Sequence, residues 1–335
     1  MRRSFIVLVV ATAVLFASSA AGLAVKLAAD DDTSEVAATG PDTAARKPAA
    51  PAETPAAGDD KVTVIEVGAE PRRPLRLKPV AGTTVRTALT ARVAIDQTVD
   101  GERLDTPAVP GFTMVMVQHV DSVDAAGSAQ VTLTYTDVKA AQGPDSDPAV
   151  VEAVNTALGD LEGLSGTAVV DARGEVQEST LDTDGVEDPV AKSMLDSLDS
   201  QLRNLSAPFP REPIGVGARW TARTKATLVG ITAETTTTYT LTEWDGDHYE
   251  LAVVAKVTAQ SGPVELPGLP AGADAAISRF EVRTTGTVGG DVMGALPTSA
   301  SSAAEGDMAF RITEDGRTGR LEQHLEMEYE FSPAR

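Results

Sequence analysis

The stretch Leu321-Glu322-Gln323-His324-Leu325-Glu326-Met327-Glu328-Tyr329-Glu330-Phe331 decides the fold class. Leu321, Leu325, Met327, Tyr329 and Phe331 fall on one side of an extended chain, while Glu322, His324, Glu326, Glu328 and Glu330 fall on the other. A period of two over so many residues is the mark of a half-buried strand. The same period recurs upstream. Val85, Thr87, Leu89, Ala91, Val93 and Ile95 oppose Arg86, Thr90, Arg92 and Asp96. Val131, Leu133 and Tyr135 interleave with threonines, Trp220 and Ala222 with arginines, and Tyr249, Leu251, Val253 and Val257 with His248, Glu250 and Lys256. Antiparallel sheet with one wet face is implied. Asp245-Gly246, Asp315-Gly316 and Arg173-Gly174 supply the positive φ angles of tight hairpins between such strands.

Two segments break the period and predict amphipathic helices. Asp147-Pro148 opens a stripe of Val151, Val154, Leu158 and Leu161; Asp188-Pro189 opens another of Val190, Met194, Leu198, Leu202 and Leu205. In each, the aspartate suits the N-cap and the proline the first helical position. The expected fold is therefore α+β: a mainly antiparallel, twisted β-sheet in two lobes, about 75–210 and 211–335, with two helices packed on it. A weak internal repeat is suggested by Gly82-Thr83-Thr84-Val85 and Gly217-Ala218-Arg219-Trp220, each opening a set of strands.

The chain has 335 residues, 28 basic and 49 acidic side chains, a net charge of -21 and no cysteine. The missing thiols exclude disulfides, thiolate zinc sites, iron–sulfur clusters and a cysteine nucleophile. The acidity argues against nucleic acid, whose binding needs a clustered positive face. Arg2 and Arg3 ahead of the apolar run Phe5 to Phe16, then Ala17-Ser18-Ser19-Ala20-Ala21, predict a signal peptide or an N-terminal membrane anchor over 1–29. Residues 30–73, rich in Ala and Pro, are expected to be a disordered linker, leaving 74–335 as an extracytoplasmic domain. The basic cluster Arg72-Arg73-Pro74-Leu75-Arg76-Leu77-Lys78 suits an anionic contact or a solvated entry strand.

Chemistry is sparse. Gly163-Leu164-Ser165-Gly166 lacks the spacing of a nucleophile elbow, and Gly215-Val216-Gly217 lacks the third glycine of a phosphate cradle. His119, His248 and His324 lie on different strands. Glu322, His324 and Glu326 share a strand face and offer a weak divalent-cation set; Asp182, Asp184 and Glu187 offer a calcium-like loop off the EF-hand spacing. Neither outweighs a solvated sheet surface and a helix-capping loop, so no metal, cofactor or catalytic residue is assigned. Phe112-Thr113-Met114-Val115-Met116-Val117 is apolar on both faces. Phe112, Met114, Met116, Trp220 and Trp244 are therefore candidate lining for an apolar pocket, with ordinary core packing as the competing reading.

The junction Pro210-Arg211-Glu212-Pro213-Ile214-Gly215-Val216-Gly217-Ala218-Arg219-Trp220, with Leu75-Arg76-Leu77-Lys78-Pro79 upstream, resembles an uncharacterised family of exported bacterial β-rich proteins. The resemblance implies a leader, a low-complexity linker and a β-rich body, with no activity attached. The expected function is an exported, non-catalytic binding domain at the cell envelope, for an apolar or lipid-like ligand. The alternatives are an adaptor for another envelope protein and, less favoured, a hydrolase or metal-dependent enzyme.

Overall fold

A β-branched and apolar face can be hidden only against another such face, and here one long sheet supplies both. The computed structural model describes residues 62–104, 108, 110–141, 147–159, 161–182, 207–228, 231–264, 269, 272–314 and 316–334. Its strands are β1 (Val62–Glu66), β2 (Thr84–Val99), β3 (Glu102–Arg103), β4 (Gly111–Val123), β5 (Ala129–Ala141), β6 (Ser165–Val170) and β7 (Val176–Leu181). They continue as β8 (Arg219–Leu228), β9 (Ile231–Asp245), β10 (His248–Ala259), β11 (Gly262–Val264), β12 (Asp274–Asp291), β13 (Ser299–Glu314) and β14 (Arg317–Pro333). The order in the sheet is β1-β8-β9-β10-β12-β13-β14-β2-β4-β5-β6-β7, with β11 beside β12 and β3 beside β2. Neighbouring strands run antiparallel.

The two expected lobes are thus contiguous blocks of one sheet, joined where β14 pairs with β2 from Leu321↔Val99 to Pro333↔Thr87. They also share a core. Met114 and Met116 of β4 and Leu133 of β5 belong to the same buried cluster as Trp220, Leu241 and Leu251 of β8, β9 and β10. The sheet therefore curls until strands from its two ends meet. A second cluster, with Phe280, Met308, Phe310 and Leu325, fills the other end of the long strands. Where the two clusters meet, the inward positions are small. Thr237, Ala255, Thr284 and Ala304 follow one another across β9, β10, β12 and β13. At Gly286, in the next inward row, a Cβ would stand 2.1 Å from the Ser301 carbonyl oxygen, so only glycine lets β12 and β13 approach this closely.

Among the described residues there is one helix, α1 (Pro148–Gly159). Asp147 caps it as expected, its Oδ1 accepting the Ala149 N–H at 2.8 Å. Leu158 and Leu161 are buried in the first cluster and Val154 packs against it. The second predicted helix, 188–205, lies outside the described residues, as does the leader over 1–29. No helix among the described residues is long and apolar enough to cross a membrane.

The linker assigned to 30–73 ends earlier than expected. β1 already pairs with β8, Val64 opposite Trp220, and Val62 and Val64 pack on the core. The stretch 67–80 then forms a strap with 207–217, bridging sheet ends that no strand pairing closes. Gly215 donates to the Val67 carbonyl at 2.9 Å, Ala69 to Val216 at 2.8 Å, and Arg73 and Ile214 exchange bonds of 3.0 Å. At the other end Leu77 donates to Ala172 in the β6–β7 turn at 2.8 Å, and Phe209 donates to Arg173 there, also at 2.8 Å. Leu75, Leu77, Phe209 and Ile214 plug the seam and are buried. Buried Leu75, Leu77 and Pro79 alternate with Arg76 and Lys78 over one short stretch, but the segment is held by carbonyls and individual side chains instead of a ladder.

Candidate functional site

The basic cluster is a clasp for this strap. The Arg76 guanidinium donates to the carbonyls of Leu75 and Pro210 at 2.7 Å each and of Arg211 at 2.9 Å. Partial burial, with Arg173 nearby, lowers its pKa. Arg73 lies 4.0 Å over the Trp244 ring and donates to the Gly246 carbonyl. Arg72 pairs with Glu70 and donates to Gly68. These arginines satisfy backbone carbonyls that the strap leaves outside any sheet, which gives the cluster a structural role.

The candidate apolar lining is part of that construction. Met114 and Met116 are each 3% exposed and pack in the first core. Trp220 is fully buried, stacks on Tyr239 at 5.6 Å and donates to the Pro208 carbonyl at 3.0 Å. Phe112 and Trp244 are half-buried against the same cluster. Val115 and Val117, on the opposite face of β4, are half-buried.

The three histidines do not converge. His119 comes nearest to a nucleophile arrangement: its Nδ1 is 2.8 Å from Thr84 Oγ1 and its Nε2 3.9 Å from Asp121 Oδ1. The second distance is too long to orient the ring, and Asp121 is already the acceptor for the Thr132 hydroxyl at 2.7 Å. The backbone around Thr84 is also occupied, the Val120 N–H by the Thr83 carbonyl and the Gly82 N–H by the Val120 carbonyl. Two of the nearest backbone N–H groups are thus unavailable as oxyanion donors. His248, at the start of β10, lies in register with Asp245 and Asp291.

A concave feature lies on the wet face. The outward residues of β12, β13, β14 and β2 align by register into two rows, Arg283-Glu305-Glu326-Ala94 and Thr285-Ala303-Glu328-Arg92. A groove of about 600 Å³ lies over them. Its floor is low because Ala94, Ala303 and Thr285 are small, and its walls are Arg92, Arg283, Glu305, Glu326 and Glu328. It continues past Ser301 and Thr90 toward Glu330. Arg92 reaches Glu328 at 3.4 Å. None of the five apolar candidates lines this groove.

His324 stands at one end. Its Nδ1 is 2.9 Å from Asp307 Oδ1, and its Nε2 is 3.6 Å from Glu326 and 3.9 Å from Glu305. The Asp307 hydrogen bond is the main reason that its pKa is raised. Asp307 also pairs with Arg279 at 3.0 Å, and Lys256 with Glu281 at 2.8 Å. Glu322, expected beside His324, is taken by Arg320 at 2.7 Å and by the Thr98 hydroxyl at 3.4 Å. Asp307 was invisible as a partner, since only the β13–β14 register sets it opposite His324.

Among the described residues no group of histidine, aspartate and glutamate could hold a metal ion. Of the calcium-like loop, Asp182 ends the β7 segment, its N–H donating to the Ser165 carbonyl at 2.8 Å. Asp184 and Glu187 lie outside the described residues.

Residues 189–291 match the model of a family of unknown function, DUF6263. No curated protein matches the chain. Among solved structures it is similar to a protein from Nitrosomonas europaea provisionally assigned as AttH, at 10% identity over 72% of this chain and 92% of that one. The TM-score is 0.11, too low for that likeness to bear on the fold.

Proposed function

We propose that the chain is an exported, non-catalytic adaptor domain that holds an envelope partner protein on the wet face of its sheet. The observation that carries this reading is the groove over β12, β13, β14 and β2, which is concave, lined by charge of both signs and backed by a filled core. Specific protein surfaces of this kind gain orientation from complementary charge. The apolar leader Phe5 to Phe16 and the Ala/Pro-rich segment after it support export, on a cleaved or retained first segment. An adaptor is favoured over a carrier of an apolar or lipid-like ligand because Met114, Met116 and Trp220 are consumed in packing. An enzyme is disfavoured because the Thr84–His119–Asp121 arrangement lacks the alignment of a nucleophile and its base.

The test is photo-crosslinking in intact cells from Thr285, on the groove, and from Glu178, on distant β7. One dominant adduct from Thr285 that disappears when Ala303→Trp fills the groove is expected. Equal adducts from both positions, or an adduct indifferent to Ala303→Trp, would refute the adaptor site. Lipid recovered by solvent extraction of the native protein would favour the carrier instead.

A further inference from the structure

The groove's charges are not evenly compensated. On the outer face around it, Asp307 has Arg279, Glu281 has Lys256, Glu322 has Arg320 and Glu328 has Arg92, each within 3.4 Å. Glu305 and Glu326 differ. They stand directly opposite each other in the β13–β14 register, where like charges destabilise a sheet. Their one cationic neighbour within 4 Å among the described residues is the His324 Nε2, beyond hydrogen-bond reach of both. Both side chains are well exposed, at 76% and 69%, and both form the groove wall. Arg283 extends the same row toward β12 and has no ion pair among the described residues.

We infer that the Glu305–Glu326 pair seats a lysine or arginine side chain of the partner, and that the His324 imidazolium competes with that cation for the same two carboxylates. The inference rests on the adaptor reading and deepens it by naming the partner's chemistry, a basic polypeptide segment. The complementarity runs along the row: carboxylates in the groove for the incoming cation, and Arg283 beside them for an acidic or carbonyl group next to it. The chain's net charge of -21 steers a basic segment toward it from a distance. Specificity then comes from the groove, since most other carboxylates on this face are already paired.

The proton matters because of where His324 sits. Asp307 and Glu305 face it from β13, Glu322 and Glu326 flank it on β14, and Asp96 opposes it on β2 while paired to Arg103 of β3. From β12 come Arg279, Glu281 and Arg283, with Lys256 of β10 tied to Glu281. Charging the ring adds a positive group beside the seat; discharging it leaves the two glutamates for the partner. Binding of a basic segment therefore strengthens as pH rises through the His324 transition.

The measurement is fluorescence anisotropy of a labelled peptide of alternating lysine and alanine, titrated with the full-length chain between pH 5.5 and 8.5. Wild type should bind several-fold more tightly at pH 8.5 than at pH 5.5. His324→Gln should bind at the high-pH strength throughout, and Glu305→Gln with Glu326→Gln should lose about tenfold at pH 8.5. Circular dichroism melts check that each variant is folded. A pH-independent wild type would overturn the competition and leave the adaptor reading standing. Equal losses from Glu243→Gln with Glu314→Gln, remote from the groove, would overturn the seat as mere overall acidity. Peptide binding as proposed, with no groove-dependent adduct in cells, would retain the seat while removing the adaptor.

Discussion

Gly215 passes so close under Ala69 that a Cβ on it would lie 1.8 Å from the Ala69 carbonyl oxygen. Here the two strands of the strap cross backbone to backbone, and the neighbouring Gly68 has the same restriction against the Gly215 carbonyl at 2.2 Å. Gly215→Ala should therefore destabilise the domain by about 3 kcal/mol or more, because backbone and not a flexible side chain is in the way. Gly217→Ala is the control. Its φ of +85° carries strain but nothing stands within 4 Å, so a loss of about 1 kcal/mol is expected. Urea denaturation of both variants decides the matter; equal losses would mean that the crossing is looser than described.

The Arg76 fork predicts a second loss. Arg76→Ala abandons three carbonyl acceptors in the partly buried seam, at a cost of about 2 kcal/mol. Arg76→Lys should recover less than half, since an ammonium on a flexible stem does not reproduce a planar fork. Thermal melts of the three proteins measure this directly, and full rescue by lysine would contradict a geometric role.

Gln97 points the other way. It is 1% exposed on the inner face, opposite Gln323, and neither its side-chain amide nitrogen nor its side-chain oxygen has a hydrogen-bond partner among the described residues. A buried amide without hydrogen bonds is worse than an apolar group of the same shape. Gln97→Met should stabilise the fold by about 1 kcal/mol, visible as a higher melting temperature. A lower one would mean that a bound water holds the amide.

His324 makes stability depend on pH. Its folded pKa lies above the unfolded value of about 6.5, so the charged ring favours the folded state. The contribution is fully present below pH 6.5 and is lost as pH rises through the folded pKa. The stability difference between wild type and His324→Gln should therefore be largest near pH 6 and vanish in mildly alkaline solution. A difference that grows with pH would refute the Asp307 contact as its source.

The strands could be read from the sequence because period two is a local property: Leu321 to Phe331, Val85 to Ile95 and Tyr249 to Val257 all lie where alternation puts them. The cap at Asp147 was legible for the same reason. Register was not, because which strand neighbours which depends on the whole chain. That is why Asp307 was missed beside His324 and why the Arg92–Arg283 groove left no trace in any single segment. The two halves of the strap, Leu75 to Pro79 and Pro210 to Trp220, stand out together as a motif, but their crossing was not legible because the groups that fix it are carbonyls and three arginines. Met114 and Met116 drew attention as an apolar surplus, and the curl of the sheet absorbs them against strands from its other end.

The position of β14 bears on how the sheet closes. This strand lies in the middle of the sheet, zipped along nearly its whole length to both β13 and β2. Its pairing with β2 joins segments near opposite ends of the described chain, and long-range pairing of this kind forms slowly. The joining of the two blocks at this seam is accordingly the slow step expected in refolding.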